Sequence, residues 1–322
     1  MKRRTLLAGL ALAPALRPAL AQAPAAWPSK QIRIYVPFNA GSGSDTGARV
    51  YGEILGKMTG QPVVVENRPG ASGQLAIQAT KQAPADGHTI LLASNSPLTV
   101  NPVVMKNLPY DPFKDIRPVI GLGRGPAAFV VKGDAPFKSM QDVVAFAKRE
   151  RRPLNAGNYS AGYQLLNTWL GTAGGIEVTH IAYKGGIQMA NDVVAGQLDI
   201  VATDLGGIMP LVQDKRVRVL AITGDKRHPI SPESPTMIES GFPDFVSWVW
   251  TAFYVRAETP DDVTNRLADL MQEVLVADKA KAYHASINVE VMAFRPDEMR
   301  RFQLGEYERF KRVADAAGVK PQ

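Results

Sequence analysis

The sequence contains no cysteine. Disulfide bonds, thiolate metal sites, cysteine nucleophiles and a lipid-modified N-terminal cysteine are therefore excluded. Histidine is also scarce, because the chain has four, and no two of them show metal-ligand spacing such as H-E-x-x-H. We expect no metal and no cofactor, and a fold that is stabilised by the burial of apolar side chains.

No apolar run is long enough for a membrane anchor. The apolar segment at residues 5–16 is shorter than the roughly 20 residues of a spanning helix. Basic residues 2–4 precede it and Ala-Leu-Ala at residues 19–21 follows it, which is typical of a cleaved signal peptide. We expect residues 1–21 to be removed and the mature protein to be soluble in the periplasm. The Arg3-Arg4 pair also resembles a twin-arginine signal, which leaves the export route open.

Neither sign of charge dominates. The formal charge of +7 falls to +3 when Lys2, Arg3, Arg4 and Arg17 leave with the signal peptide, which contains no acid. The densest remaining basic run, residues 148–152, lies at a predicted helix end and is interpreted as a solvated surface. We expect no nucleic-acid partner.

Recognisable catalytic patterns are also missing. The sequence has no G-x-S-x-G element, and no nucleophile with a base partner can be identified. The glycines of residues 41–47 miss the dinucleotide pattern G-x-G-x-x-G by one residue. We expect a protein that is not an enzyme, with an exported hydrolase as a distant alternative.

Strand and helix patterns, in contrast, alternate along nearly the whole chain. This alternation predicts parallel sheets covered by helices on both faces, a doubly wound α/β fold. We predict two lobes: residues 28–124 plus 226–322 form a discontinuous lobe 1, and residues 125–225 form lobe 2. The first crossing lies in the glycine-rich passage at residues 121–125.

The first strand leads into a glycine-broken loop and then a helix. Gly41 and Gly43 permit close backbone approach, and Ser44 or Asp45 can cap the helix. Backbone N–H groups at such a helix start favour a carboxylate or a phosphate. An ordinary strand-to-helix turn is the alternative. The loop consists of Phe38, Asn39, Ala40, Gly41, Ser42, Gly43, Ser44 and Asp45.

Further loops of small or polar residues follow other predicted strands. Ligands of open α/β sheets bind beyond the carboxyl ends of the strands, so two facing lobes would place these loops around one cleft. Asp204 adds an acid after the strand at residues 200–203. The loops are residues 38–45, 94–96, 158–164 and 183–186.

Several motifs resemble the substrate-binding proteins of tripartite tricarboxylate transporters, the Bug-type receptors, and the resemblance covers essentially the mature chain. They are Ile-Arg-Ile-Tyr-Val-Pro-Phe at residues 32–38, Gly-x-Gly-x-Asp at 41–45, Val-Val-Glu-Asn-Arg-Pro-Gly at 64–70, Asp-Gly-His-Thr at 86–89, Leu-Pro-Tyr-Asp-Pro at 108–112, Tyr-Lys-Gly at 183–185 and Gly-Gln-Leu-Asp at 196–199.

The resemblance implies a type II periplasmic-binding-protein fold and a monomeric receptor. Its two α/β lobes would close over a small organic carboxylate, which then passes to a two-subunit membrane permease. The first loop would hold one carboxylate through backbone amides and water, and Asp204 matches an acid that can face a ligand ammonium group in amino-acid-binding relatives. Outside the first loop, the implied substrate-binding residues are Ser94, Asn95, Ser160, Tyr163, Gln164, Tyr183, Lys184, Gly185 and Asp204.

Two departures from the family pattern leave the ligand open. Asn39 replaces a usual proline, and Ala-Gly-Tyr-Gln-Leu at residues 161–165 replaces a helix start rich in Ser, Thr and His. Tyr163 either stacks on an aromatic acid, narrows the pocket or covers the lobe surface. Lys184 is either the cation for a second carboxylate, a hinge contact or a solvated side chain.

The ligand class remains open between a tricarboxylate, a dicarboxylate, an acidic amino acid and an aromatic acid. The predicted function is transport, with signalling to a membrane sensor protein as the alternative.

Overall fold

The computed structural model describes residues 27–321. The predicted signal peptide, its cleavage site and its arginine pair lie outside these residues. No helix within the described range is both long and apolar enough to span a bilayer.

Strands and helices alternate as the sequence predicts. The strands are β1 (Ile32–Val36), β2 (Val63–Asn67), β3 (Thr89–Ser94), β4 (Ile116–Lys132), β5 (Leu154–Asn158), β6 (Val178–Ala182), β7 (Ile200–Asp204), β8 (Val217–Ile222), β9 (Trp248–Arg256) and β10 (Glu290–Val291). The helices are α1 (Gly43–Thr59), α2 (Gln74–Gln82), α3 (Asn101–Val104), α4 (Met140–Glu150), α5 (Ala161–Gly174), α6 (Gly186–Val194), α7 (Leu205–Gln213), α8 (Asp261–Val276), α9 (Asp278–Ile287) and α10 (Pro296–Ala316). A 3₁₀ turn (Ala71–Gly73) precedes α2, and a short π-helix (Ser96–Val100) precedes α3.

The strands form two sheets that share β4. In the first sheet the order is β2-β1-β3-β9-β4, with β1, β2 and β3 parallel and β9 antiparallel to its neighbours. In the second sheet β5 lies between β6 and β7, all three parallel, and β4 pairs antiparallel with β7 and β8. β4 leaves β9 at Pro126 and begins to pair with β7 at Ala127, so this one strand connects the two sheets.

Both faces of the first sheet are covered by helices. On one face Leu55 of α1 and Leu267 of α8 pack with Ile34 of β1. On the other face Ile77 of α2 and Met299 of α10 belong to a second apolar cluster. This arrangement is the doubly wound one that the alternating pattern predicts.

The second sheet is covered in the same way. Leu166 of α5 packs with Phe129 of β4 on one face, and Met189 of α6 packs with Ile208 of α7 on the other. The proposed lobe boundaries stay a prediction. Phe245, which follows the boundary at residue 225, packs in the same cluster as Phe129.

Local capping signals are accurate for two helices and wrong for two others. The N-cap of α1 is Ser42 rather than Ser44 or Asp45. The capping box of Ser139 and Asp142 starts α4, and Pro296 occupies the first position of α10.

The run Thr259-Pro260-Asp261-Asp262 predicts Thr259 as the N-cap of α8 and Pro260 in the first helical position, which is wrong by one residue. Pro260 is the N-cap, because its ψ of 149° is extended rather than helical.

Two long stretches of strand are not predicted in full. The sequence predicts a strand only at residues 127–131, whereas β4 has 17 residues, and β9 is not predicted at all. Gly121 and Gly123 weaken the strand pattern in the first half of β4, because glycine is uncommon in strands. A Cβ at either position would lie 3.1 Å from the side chain of Met292 or Val289, respectively, so a larger residue fits only if that side chain shifts slightly.

Candidate functional site

A cavity of about 500 Å³ lies at the carboxyl ends of strands from both sheets. The segments that follow β1, β3, β5, β6 and β7 line it, which is where ligands of α/β sheets bind. The predicted residues on its wall are Phe38, Asn39, Gly41, Ser42, Gly43, Ser44, Ser94, Asn95, Ser160, Tyr163, Lys184, Gly185 and Asp204.

Four helices begin at this cavity. Their N-cap residues are Ser42 for α1, Ser160 for α5, Gly185 for α6 and Asp204 for α7, and all four line the wall. The first-turn N–H groups of a helix and the positive end of its dipole attract anions. The cavity is therefore built to receive negative charge.

Asp45 shapes the first loop instead of lining the cavity. Its carboxylate accepts hydrogen bonds from the Gly41 N–H at 2.9 Å, from Asn67 Nδ2 at 2.9 Å and from Arg49 Nε at 3.1 Å. Burial opposes ionisation, but the bonds from Arg49, Gly41 and Asn67 outweigh it and lower the pKa of Asp45. Asp45 thus holds the loop in its anion-binding shape.

Three further predicted residues also lie outside the cavity wall. Tyr183 donates its hydroxyl to Asp192 Oδ2 at 2.7 Å. Gln164 is exposed on α5, and Ala40 is exposed at the tip of the first loop. The sequence places these residues in segments that border the cavity but does not show which way their side chains point.

Asp204 lies against the cavity with both carboxylate oxygens engaged. Tyr159 donates its hydroxyl to Oδ1 at 2.8 Å, and the Gly207 N–H donates to Oδ2 at 2.8 Å, which caps α7. The Tyr163 ring lies 4.7 Å from the Tyr159 ring. Burial, followed by the charge of Asp204, raises the pKa of both tyrosines well above the usual value, so they remain protonated.

Hydrogen bonds cross the cleft at two places. Ser96, after β3, accepts from the Gly162 N–H at 3.1 Å and donates to Ser160 Oγ at 3.0 Å. Asn39, after β1, donates from Nδ2 to the Lys184 carbonyl oxygen at 3.3 Å. The two sides of the cavity are therefore in contact.

Part of the cavity lining is apolar, and we call these residues the apolar wall. Although Ile187 lines the cavity, it is 73% exposed, the most exposed large hydrophobic residue in the described part of the chain. Such exposure at a cavity mouth indicates a surface that a ligand can cover. The apolar wall consists of Ile187, Ile208, Leu211, Ile287 and Val289.

Several site residues are not singled out by the sequence. Ser96 and Tyr159 lie in loops that were identified, but nothing distinguishes them from their neighbours. Tyr283 and Ile287 come from α9, far along the chain, where no local pattern marks them. Tyr283 donates to the Gly43 carbonyl oxygen at 3.0 Å, and burial, together with the charge of Asp204, raises its pKa to about 12.

The chain is similar to known receptors in sequence. A family model described as "Tripartite tricarboxylate transporter family receptor" matches residues 48–319. A UPF0065 protein of Bordetella bronchiseptica is 34% identical over 282 residues, which are 88% of this chain and 83% of that protein.

Solved structures show the same fold. An R. palustris protein solved with adipate has a TM-score of 0.87 and 30% identity, over 92% of this chain and 100% of its own. The periplasmic binding protein BugD has a TM-score of 0.85 and 27% identity, over 92% and 100% of the two chains. These likenesses confirm the type II periplasmic-binding-protein fold and show a receptor rather than an enzyme. The chain belongs to the tripartite tricarboxylate transporter receptor family, the Bug-type solute-binding proteins.

Proposed function

We propose that the protein is a periplasmic receptor that captures a small organic carboxylate and delivers it to a two-subunit membrane permease. The observation that carries this proposal is the start of four helices at one cavity, between loops that touch across the cleft. The relative with adipate, at 30% identity, supports a carboxylate as the ligand.

Backbone groups hold the carboxylate in this proposal. Gly43 and Ser44 present the first N–H groups of α1, and the hydroxyls of Ser42 and Ser94 add donors. Closure removes water from these donors, and each hydrogen bond to the anion is then stronger than in solvent. No cofactor is needed for this work.

Capture and release follow from the connections between the sheets. β4 and β9 run side by side at the junction. Across the cleft, the hydrogen bonds of Ser96 and Asn39 are joined by an apolar cluster in which Leu165 of α5 packs with Phe310 of α10. A ligand that touches both sides favours the closed form by the difference in its affinity for the two forms. A permease that binds the closed receptor and opens it would receive the ligand. We propose that the receptor acts as a monomer, exported by its N-terminal signal.

Uptake of a labelled carboxylate by whole cells tests the delivery step. Cells lacking the receptor and cells lacking the permease should both lose uptake, while the purified receptor still binds the ligand. Normal uptake in the permease mutant, with loss of ligand-induced gene expression in the receptor mutant, would instead identify a sensing receptor.

A further inference from the structure

The four helix N-termini at the cavity are not equally available to a ligand. Asp204 caps α7 through the Gly207 N–H, and Ser96 reaches across the cleft to cap α5 at the Gly162 N–H. Ser160, the N-cap residue of α5, makes no side-chain cap of its own.

Ser42 caps α1 at the Asp45 N–H at 3.3 Å, but within residues 27–321 the N–H groups of Gly43 and Ser44 have no protein acceptor. Three of the four helix starts therefore carry a cap from a protein oxygen, and α1 keeps two N–H groups for a ligand.

The N-termini of α1 and α6 lie side by side. Gly185 has no side chain with which to cap α6, and in residues 27–321 the N–H groups of Gly186 and Ile187 have no protein acceptor. The hydrogen bond from Asn39 to the carbonyl oxygen of Lys184 joins the loop before α6 to the loop before α1. Together the two helix starts form one anion-binding position, and the side chain of Lys184 adds a positive charge beside it.

The side chains around the cavity carry little net charge. Within the described chain, Lys184 and Asp204 line it with opposite charges, and no arginine does. His228 is also on the wall, but burial lowers its pKa, so the ring is neutral at pH 7. One ligand carboxylate can be neutralised by this arrangement, whereas a second would lack a partner.

The remainder of the cavity suits an uncharged group. The apolar wall and the carboxylate of Asp204 line the same cavity. A second ligand carboxylate here would meet a like charge and lose its water without gaining donors. An ammonium group would have to share Asp204 oxygens that each already accept one hydrogen bond, and it would lose its water beside the apolar wall.

We infer that the ligand is a monocarboxylate with an apolar body, and that Asp204 is the residue that rejects a second carboxylate. This inference rests on the proposed function, and it separates the chain from a relative whose structure holds a dicarboxylate, adipate. Tyr159 is the positioning residue, because its hydroxyl holds the Asp204 carboxylate toward the cavity.

Titration calorimetry with matched ligands tests the inference on mature protein freed of ligand by unfolding and refolding. Hexanoate, adipate and 6-aminohexanoate share six carbons and differ only at the far end, and benzoate and terephthalate form an aromatic pair. Each monocarboxylate should bind at least about tenfold more tightly than its charged partners. Tighter binding of adipate, terephthalate, 6-aminohexanoate or citrate would overturn the inference and leave the proposed function standing. If none of these ligands binds, the proposed function itself fails.

Two variants test the residues named. Asp204→Asn should reduce the ratio of the affinity for hexanoate to the affinity for adipate. An unchanged ratio would show that Asp204 does not reject the second carboxylate. Ile187→Ser should weaken the binding of hexanoate about fivefold, because the variant lacks the apolar side chain that the ligand would cover. Ile238→Ser is the control, because Ile238 is another exposed isoleucine, 37% accessible, that does not line the cavity. If Asp204→Asn fails to fold, the Ile187 and Ile238 pair still decides whether the apolar wall binds ligand.

Discussion

The backbone of Gly206, at the start of α7, lies directly against the carbonyl oxygen of Ile287, at the end of α9. A Cβ on Gly206 would overlap that oxygen, and backbone atoms cannot move aside as a flexible side chain can. The two helices pack on different sheets, so this close approach is a contact between the two sides of the cleft.

Gly206→Ala should therefore weaken ligand binding by about tenfold or more while the free protein stays folded, because the open form relieves the overlap. Calorimetry with the tightest carboxylate measures the loss. Gly305→Ala, in α10 with no atom near the added carbon, is the matched control and should be neutral or stabilising by up to about 1 kcal/mol. Equal binding by both variants would contradict closure at this contact.

Ser96→Ala removes the oxygen that caps α5 across the cleft. The Gly162 N–H then loses its acceptor in the closed form, at a cost of about 1–2 kcal/mol, which corresponds to roughly five- to thirtyfold weaker binding. Ser29→Ala, at an exposed serine far from the cavity, should bind like the wild type. A Ser96→Ala protein with unchanged affinity would show that this bond does not hold the cleft closed.

Lys184→Met tests how much the positive charge of Lys184 contributes to carboxylate binding at the anion-binding position. Because Asn39 holds the Lys184 backbone next to the α1 loop, we expect monocarboxylates and dicarboxylates to lose affinity alike, by about three- to tenfold at low salt. Calorimetry at two salt concentrations measures this loss, with Lys311→Met on α10 as the control. A loss confined to dicarboxylates would assign Lys184 to a second carboxylate instead.

Asp45→Asn should lower the free energy of unfolding by about 1–3 kcal/mol at pH 7, because the buried carboxylate accepts charge-assisted hydrogen bonds. Its pKa is lowered in the folded protein. The stabilisation is therefore complete above the unfolded value of about 3.9 and is lost as the pH falls through the lower folded value.

Urea unfolding of the wild type and Asp45→Asn between pH 7 and pH 3 measures this dependence. The difference between the two proteins should shrink in the acid range, while Asp244→Asn, at an exposed aspartate, should show no difference at any pH. If the difference in the free energy of unfolding between the wild type and Asp45→Asn is the same at every pH, the charge of Asp45 contributes nothing to stability.

Much of the fold is local and therefore predictable from sequence. Ser139 with Asp142, and Pro296, mark helix starts through interactions within one turn. The loops around the cavity follow from the rule that parallel strands point their carboxyl ends to one edge. β9 itself is rich in aromatic and β-branched residues, which is a local strand signal that the prediction overlooks. Its pairing with β3 and β4 has no such signal, because these strands are distant in sequence.

The site is only half predictable for the same reason. The contact of Ser96 with Gly162 joins residues 66 apart, and Tyr159 reaches Asp204 over 45 residues. Such pairs depend on how two sheets face one another across a cleft. Side-chain direction is likewise set by packing, which is why Asp45 turns out to be a loop support.

The thermal midpoint of ligand-free mature protein, measured against mono-, di- and tricarboxylates, examines carboxylate capture most directly. A ligand at 100 times its dissociation constant adds about 2.7 kcal/mol of stability, which shifts the midpoint visibly. We predict such a shift for one class of carboxylate, with monocarboxylates of apolar body giving the largest. No shift with any carboxylate, in protein shown by mass spectrometry to be free of ligand, would contradict a carboxylate receptor.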